Sequence, residues 1–540
     1  MRRAPRRDLL AGLTVAVVAL PLALGFGVSS GLGAEAGLAT AVVAGALAAL
    51  FGGSRLQVTG PTGAMTVVLV PIVAEHGTGG VLTVGVLAGV LLLGLAAARA
   101  GRWMAYVPAP VVEGFTLGIA LVIGLQQVPG ALGVPVPEGD GVLVVAWHAL
   151  RAFVSEPAPA AVALALAVAA LMLLGARLRP AVPFSIVAVV AATAVAHLGH
   201  LDVATIGALP AGLPAPSLGF LDPADVPGLL APAVAVAALA ALESLLSAQV
   251  ADGMTTGPRH DPDRELFGQG LANLAAPLFG GVPATGAIAR TAVNVRSGAV
   301  SRLAALTHAA VLAVIVFAAA PLVSRIPLAA LAGVLLATAV RMVEVGALRA
   351  MARATRSDAV VLVLTAVATV VLDLVYAVVI GLLVAGALAL RAVATQTRLD
   401  RLDLPPAPDG AGRLGEDLVT YRIDGPVFFA GAHRVLRELS AVDDARVVIL
   451  RLSRVTALDA TGALALKDAV AELERRGVVV LASGIRPGQR KALDSVGLLD
   501  ALRRSGREYA TAPEAVAGAR AHLERVGAPG SGQPAERAAR

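Results

Sequence analysis

Two stretches of this chain read almost alike. Leu50-Phe51-Gly52-Gly53 is followed by Thr62-Gly63-Ala64, and Leu278-Phe279-Gly280-Gly281 is followed by Thr285-Gly286-Ala287. Each pair lies in a long apolar region, interrupts it with glycine and proline, and lets it resume. Hydrophobic segments broken at corresponding places in two halves are the sequence mark of a membrane protein built from repeats with interrupted helices. A helix that restarts inside a bilayer presents unpaired backbone N–H groups and a positive dipole end, and both favour an anion. The plainer reading is that these glycines only let helices pack closely.

Composition agrees with a membrane location. The chain is 57% hydrophobic and 15% charged over 540 residues, with mean hydropathy +0.80. Apolar runs near the ~20 residues needed to cross a bilayer recur from Asp8 to about Arg398. Small residues dominate them, which suits close helix contact. The absence of cysteine excludes disulfides and thiolate metal sites. The basic start, residues 1–8, leads into an apolar segment with no small-residue cleavage site, so this segment is read as a retained first span. The net charge of +6 does not indicate a nucleic-acid partner, because no lysine precedes Arg398 and the arginines fall in loops.

Fourteen spans are predicted, near residues 9–30, 35–52, 61–75, 80–98, 105–128, 158–176, 181–199, 228–250, 265–280, 285–298, 303–322, 327–345, 358–373 and 376–394. The third and tenth read as half-helices ending near the midplane. Alternate loops carry the arginines: Arg55; Arg99 and Arg102; Arg177 and Arg179; Arg259 and Arg264; Arg296 and Arg302; Arg341, Arg349, Arg353 and Arg356. The opposite loops hold only Arg151 and Arg325. This alternation predicts that both termini are cytoplasmic and that seven spans are followed by seven inverted ones. The fold class expected is an all-α polytopic membrane domain over residues 1–398, with 14 spans in a 7+7 inverted repeat.

After Arg398 the pattern changes. Residues 399–416, with Pro405-Pro406-Ala407-Pro408, read as a linker. Residues 417–526 alternate strands (419–423, RVVILRLS at 446–453, VVVLAS at 478–483) with helices (461–476, 487–496), as a small α/β domain with a largely parallel sheet does. Residues 527–540 are rich in Gly, Pro, Ser and Arg and read as a disordered tail.

The first span (VALPLALGFGVSSGLGAEAGL, residues 18–38), QVTGPTGAMTVV (57–68), ESLLSAQVADGM (243–254), ELFGQGLAN (265–273) and LFGGVPATGAIARTAVNVRSG (278–298) together resemble the SulP anion transporter family. The last domain resembles a STAS domain, which that family usually carries. The resemblance covers nearly the whole chain. It implies a core domain and a gate domain, elevator-type alternating access, and a substrate held between the N-termini of spans three and ten. Those positions here are Thr62, Gly63, Ala64 and Met65, and Thr285, Gly286, Ala287 and Ile288. The resemblance also implies that a basic residue at Arg290 lies next to substrate; the alternative is an arginine that neutralises a nearby acid or snorkels outward. Phe26 is placed at the site too, or in plain packing, and Pro21 is expected to break the first helix.

Glu243 is an acid two turns into an apolar helix, a costly position that usually has a function. Ser247 follows one turn on, on the same face. Together they offer oxygen ligands for Na⁺; a carboxyl that holds a proton serves H⁺ coupling instead; a structural carboxylate paired with Arg290 is the third reading. Sodium-coupled bicarbonate transporters of the family have Asp and Thr at these positions. Some proton-coupled members have an acid just after the Leu-Pro of the first span, where this chain has Leu22-Ala23-Leu24. That favours the bicarbonate-like subgroup.

In Leu458-Asp459-Ala460-Thr461-Gly462, Thr461 stands where STAS domains can be phosphorylated; Asp459 or Thr461 as a helix cap is the simpler reading. His76, His148, His197, His200, His260 and His308 show no metal-ligand spacing. There is no nucleophile–base constellation, so an enzyme is not expected, nor a cofactor beyond Na⁺ or H⁺ as coupling ion. The functional expectation is a cation-coupled transporter of bicarbonate or sulfate in the plasma membrane. The alternatives are an uncoupled anion channel or exchanger, a dicarboxylate transporter, and a neutral-solute carrier on the same fold. The partners expected are the small anion, the bilayer, a second copy in a homodimer, and a regulator of the STAS domain.

Overall fold

The computed structural model describes residues 5–139, 141–179, 182–210, 212–372, 374–402, 417–428 and 445–527. The chain forms two compact units, Met1–Ala385 and Gly386–Arg540.

The first unit is helical. In order it contains α1 (Pro5–Ser29), α2 (Ala34–Phe51), strand β1 (Thr59–Gly60), α3 (Gly63–Ala97), α4 (Ala109–Gln126), α5 (Val128–Leu132), α6 (Val142–Ser155), α7 (Pro159–Leu178), α8 (Phe184–Leu198), α9 (Val226–Gly253), α10 (Pro262–Ala275), strand β2 (Thr285–Gly286), α11 (Ile288–Arg296), α12 (Leu303–Ala318), α13 (Ala320–Val323), α14 (Leu328–Met342), α15 (Val345–Ala354) and α16 (Arg356–Val371). Helix α17 (Leu374–Thr395) follows, with Ala385, the last residue of the first unit, inside it. Helix occupies each of the fourteen predicted segments. Among the described residues, eight helical stretches are long and apolar enough to cross a bilayer. Two helices were not anticipated. Helix α6 carries Arg151 over the Trp147 ring at 5.0 Å. Helix α15 buries none of its residues and exposes Arg349 and Arg353.

The helices sort into two packing groups. In one, α1, α2 and α12 pack on one another, α10 packs on α2 and α3, and α9 packs on α3 and α11. In the other, α4 packs on α14 and α16, and α7 on α8 and α14. This is the core-and-gate division expected of the fold.

One expectation about helix breaks needs correction and another is met. Helix α1 runs unbroken through Pro21. A proline removes one backbone hydrogen bond, but membrane helices tolerate it where neighbouring helices enclose the segment; residues 19–27 are all buried. The break predicted between the third and fourth spans falls at Gly77, inside α3 as bounded above: its φ of +66° and ψ of −170° are not helical and turn the chain between two helical stretches, a conformation open mainly to glycine.

In the second unit, strands β3 (Arg398–Leu402), β4 (Leu418–Val427), β5 (Val447–Leu458), β6 (Val479–Ser483) and β7 (Glu508–Tyr509) form one sheet in that order. The β3–β4 pair is antiparallel and the rest are parallel. The linker predicted at 399–416 is therefore wrong at its start: β3 pairs with β4, and Asp400 Oδ2 accepts from Arg422 Nη2 at 2.7 Å. The remainder of that segment, with the proline run, and the tail beyond Gly527 lie outside the described residues. Helices α18 (Ala460–Arg475), α19 (Pro487–Ser495), α20 (Leu498–Arg504) and α21 (Ala512–Gly527) flank the sheet. Along β5, Val448, Leu450 and Leu452 enter the core shared with α18 to α20, and Val447 and Ile449 enter the core shared with α21. Alternate residues thus feed two cores, which is why RVVILRLS reads as continuously apolar.

Candidate functional site

The two interrupted segments meet. Strands β1 and β2 pair antiparallel, with Thr59 opposite Gly286 and Gly60 opposite Thr285. Each strand leads within two residues to the start of a helix, α3 from Gly63 and α11 from Ile288. The pairing satisfies backbone groups that would otherwise be orphaned in a low-dielectric interior. Helix α11 is only nine residues long, so at ~1.5 Å per residue it covers under half of a bilayer core.

Several N–H groups predicted as ligand donors already have acceptors. Gly286 N–H donates to Ser244 Oγ at 3.0 Å, Ala287 N–H to the Val58 carbonyl at 2.9 Å, and Met65 N–H weakly to the capping Thr62 Oγ1 at 3.4 Å. The donors left over are the amides of Gly63 and Ala64 on α3 and of Ile288, Ala289 and Arg290 on α11, which have no acceptor among the described residues. The free positive ends are therefore the first turns of both helices. Gly63 is tightly enclosed: a β-carbon there would lie 2.1 Å from Ile123 Cδ1 and 3.1 Å from Phe26 Cε1. Phe26 thus stands beside the start of α3, a contact that fits both site lining and plain packing.

Helix α9 lies across both arms. Glu243 Oε2 accepts from Thr62 Oγ1 at 2.9 Å. Ser247 Oγ bonds Thr291 Oγ1 at 2.9 Å, and Thr291 Oγ1 accepts the Val58 N–H at 3.1 Å. Glu243 and Ser247 therefore do not share a partner: one holds the cap of α3 and the other holds α11. Ser244, not singled out in the sequence, sits between them and bonds Thr285 Oγ1 at 3.0 Å. With Thr62, Ser244 and Thr285, Glu243 makes up a group of four oxygen-bearing side chains from three segments.

Arg290 is 2% exposed. Its Nη2 donates to the Pro61 carbonyl, and its Nη1 has no hydrogen-bond partner among the described residues. No direct ion pair joins Arg290 to Glu243 among the described residues; Glu243 bonds Thr62 and Arg290 bonds Pro61.

Further polar side chains support the crossing. Gln269 Nε2 donates to Thr59 Oγ1 at 2.8 Å and to Glu265 Oε1 at 2.9 Å; Glu265 Oε2 accepts the Ser54 N–H at 2.9 Å. Asn294 Nδ2 donates to the Leu56 carbonyl at 2.8 Å. The row Arg290, Thr291, Asn294, with Arg296 at the end, is legible in the sequence as four polar residues in a nine-residue helix. Further along α9, an open cleft of about 410 Å³ is bordered by Leu245, Gln249 and Asp252 with Arg102, Arg259 and His260. His260 and Asp252 close one side, Nδ1 to Oδ2 at 2.8 Å. No cluster of three or more His, Cys, Asp or Glu suited to a metal occurs among the described residues.

In the second unit, Asp459 caps α18, its Oδ1 accepting the Gly462 N–H at 2.7 Å. Thr461 is exposed in the first turn of that helix.

Crossed half-helix starts inside a multi-pass helical unit, with a STAS-like domain after it, define a membrane anion transporter and not an enzyme. Residues 6–365 match the sulfate permease family and residues 413–513 the STAS domain. The chain belongs to the sulfate permease family. It is 35% identical over 91% of its length to the putative sulfate transporter YvdB of Bacillus subtilis, covering 94% of that protein. It is 32% identical to the bicarbonate transporter BicA of Picosynechococcus, over 89% of each chain. The solved transmembrane domain of a cyanobacterial BicA superposes with a TM-score of 0.62 at 33% identity, over 71% of this chain and 98% of that one. Murine Slc26a9, an anion transporter solved in an inward-facing state, superposes with a TM-score of 0.82 at 17% identity over 96% of this chain and 91% of that one, a likeness of fold.

Proposed function

We propose that the protein is a secondary active transporter that carries a small inorganic anion, bicarbonate or sulfate, across the plasma membrane, coupled to Na⁺ or H⁺ and working by elevator-type alternating access. The observation that carries this reading is the crossing itself. The free N–H groups of Gly63, Ala64, Ile288, Ala289 and Arg290 stand beside two strands held in antiparallel register. Partial charges spread over amides replace an ion's hydration without a full countercharge, so the ion can leave again. Similarity to transporters named for sulfate and for bicarbonate supports both substrates equally. Glu243, hydrogen-bonded to the α3 cap, is the residue through which a coupling cation would sense the anion, with Ser244 and Thr285 as neighbouring oxygen donors and Ser247 one turn on. In the same reading both termini are cytoplasmic, the protein is a homodimer, and Thr461 is a phosphorylation site through which a partner of the STAS domain regulates transport.

The test is uptake into proteoliposomes of labelled bicarbonate, sulfate and fumarate, under an imposed Na⁺ or H⁺ gradient separately. Concentrative uptake of one inorganic anion with one gradient is expected. Uptake that only equilibrates under every gradient selects the uncoupled channel or exchanger reading, and uptake of fumarate alone selects the dicarboxylate reading.

A further inference from the structure

His308 lies on α12, is 0% exposed, and neither ring nitrogen has a hydrogen-bond partner among the described residues. Buried polar groups without partners are rare, because each forfeits hydration for nothing; in native proteins they are met by another polar group or by an ordered water. The surroundings of His308 identify its counterpart. A β-carbon on Gly45 would lie 3.2 Å from the Thr59 carbonyl and 3.9 Å from His308 Nδ1. One residue further along the strand, a β-carbon on Gly60 would lie 2.5 Å from Arg290 Nη1 and 3.5 Å from Ala41 Cα. Ala41 and Gly45 are one turn apart on α2, about 6 Å along its axis. Both side chains therefore lie in the layer between α2 and β1. Arg290 Nη1 is an unpartnered donor in that layer. A neutral imidazole has one bare nitrogen that can only accept. Among the described residues the amide of Gln57 and the Oε1 of Gln269 and Oδ1 of Asn294 are also unpartnered, but Gln57 stands against Gly286 of β2, the Gln269 amide bonds Thr59 Oγ1 and Glu265, and the Asn294 amide is turned to the Leu56 carbonyl, before β1 begins.

We propose that His308 is a positioning residue for Arg290: a ring nitrogen accepts, through one ordered water, from Arg290 Nη1, while Pro61 O holds Nη2, so that the guanidinium is fixed at two points beside the anion site. The water supplies the link because no direct hydrogen bond joins the ring nitrogens to Arg290 Nη1 and none of these atoms has a protein partner among the described residues. The inference rests on the reading of Arg290 as part of the anion site. It makes α12 a third structural support of that site, behind α2 and invisible from the crossing.

The experiment is a double-mutant cycle in proteoliposomes with labelled sulfate and labelled bicarbonate, using His308→Phe, His308→Gln, Arg290→Gln and His308→Phe/Arg290→Gln. His308→Phe keeps the shape and deletes the acceptor. It is expected to raise the KM of the transported anion about tenfold with Vmax within about twofold, the signature of a displaced binding group. His308→Gln, which can still accept, is expected to stay within about threefold of wild type, and His308→Phe is expected to change KM by less than about twofold once Arg290 is Gln. A wild-type KM for His308→Phe, an equal tenfold loss in the Arg290→Gln background, or a Gln variant as impaired as Phe would overturn the proposal. Thermal unfolding midpoints of the same four proteins read the pair without substrate. Shifts that fail to add are expected, and additive shifts overturn the pairing. If Arg290→Gln leaves KM unchanged, the anion-site reading falls while the midpoint cycle still decides the pairing.

Discussion

The two arms of the crossing share Thr-Gly-Ala but are supported in opposite ways. The first arm, β1 and α3, is apolar beyond its cap. Its first helical stretch packs Ala64, Met65, Val68 and Leu69 into the core, and the arm's side chains meet other helices through Thr62, which donates to Glu243, and Thr59, which accepts from Gln269. The second arm, β2 and α11, is polar for its length. Arg290, Thr291 and Asn294 each reach back to backbone of the first arm, at Pro61, Val58 and Leu56. One arm supplies carbonyls and an amide; the other supplies the side chains that bind them. A repeated motif thus need not mean a repeated role: the backbone geometry is duplicated, while the chemistry is concentrated on one side.

That asymmetry can be broken most severely at Gly286. A β-carbon there would lie 1.9 Å from Gln57 Nε2 and 3.1 Å from Ser244 Cα, so Gly286→Val should cut transport about 100-fold or more through overpacking. Uptake assays on protein matched for amount check this, and Gly63→Ala, whose clash is with the flexible end of Ile123, should lose less. Next in size is Arg290→Gln, expected to raise the KM for the transported anion about 30-fold, the cost of losing a charged donor; unchanged anion affinity would return Arg290 to a purely structural role. Glu243→Gln should abolish gradient-driven accumulation while anion exchange at equilibrium persists within about fivefold, because the amide still accepts from Thr62 but carries no charge. Full accumulation in that variant would remove the coupling role. Thr291→Val strands the Val58 N–H and Ser247, and should cost about 1–3 kcal/mol of stability, read from thermal unfolding in detergent. The smallest effect is remote from the crossing: Asp459→Ala should cost about 1 kcal/mol through the lost α18 cap and leave transport rates unchanged.

How far the sequence foretold these arms depended on the kind of signal. Long apolar runs marked the helices, and the near-repeat marked both arms, because each persists over many residues. The continuously apolar RVVILRLS and VVVLAS marked the central strands for the same reason. The β1–β2 pairing was invisible, since two-residue strands have no periodicity. Ser244 was hidden beside Glu243, where helical spacing drew the eye to Ser247. Asp8 looked like part of a basic leader, yet it is 2% exposed and its carboxylate accepts the N–H groups of Val300 and Ser301 at 2.8 and 3.1 Å. Such partners lie hundreds of residues away and become legible only when the fold brings them together. Pro21 shows the converse: a local rule predicted a break that tertiary enclosure overrode.

The small two-stranded ladder between Thr59–Gly60 and Thr285–Gly286 carries one more implication. All four of its residues are buried, so prising the arms apart would strand backbone groups in a low-dielectric interior. In the transport cycle proposed above, these two half-helices would travel as a single piece, like the two jaws of a clamp that has been riveted shut at the hinge.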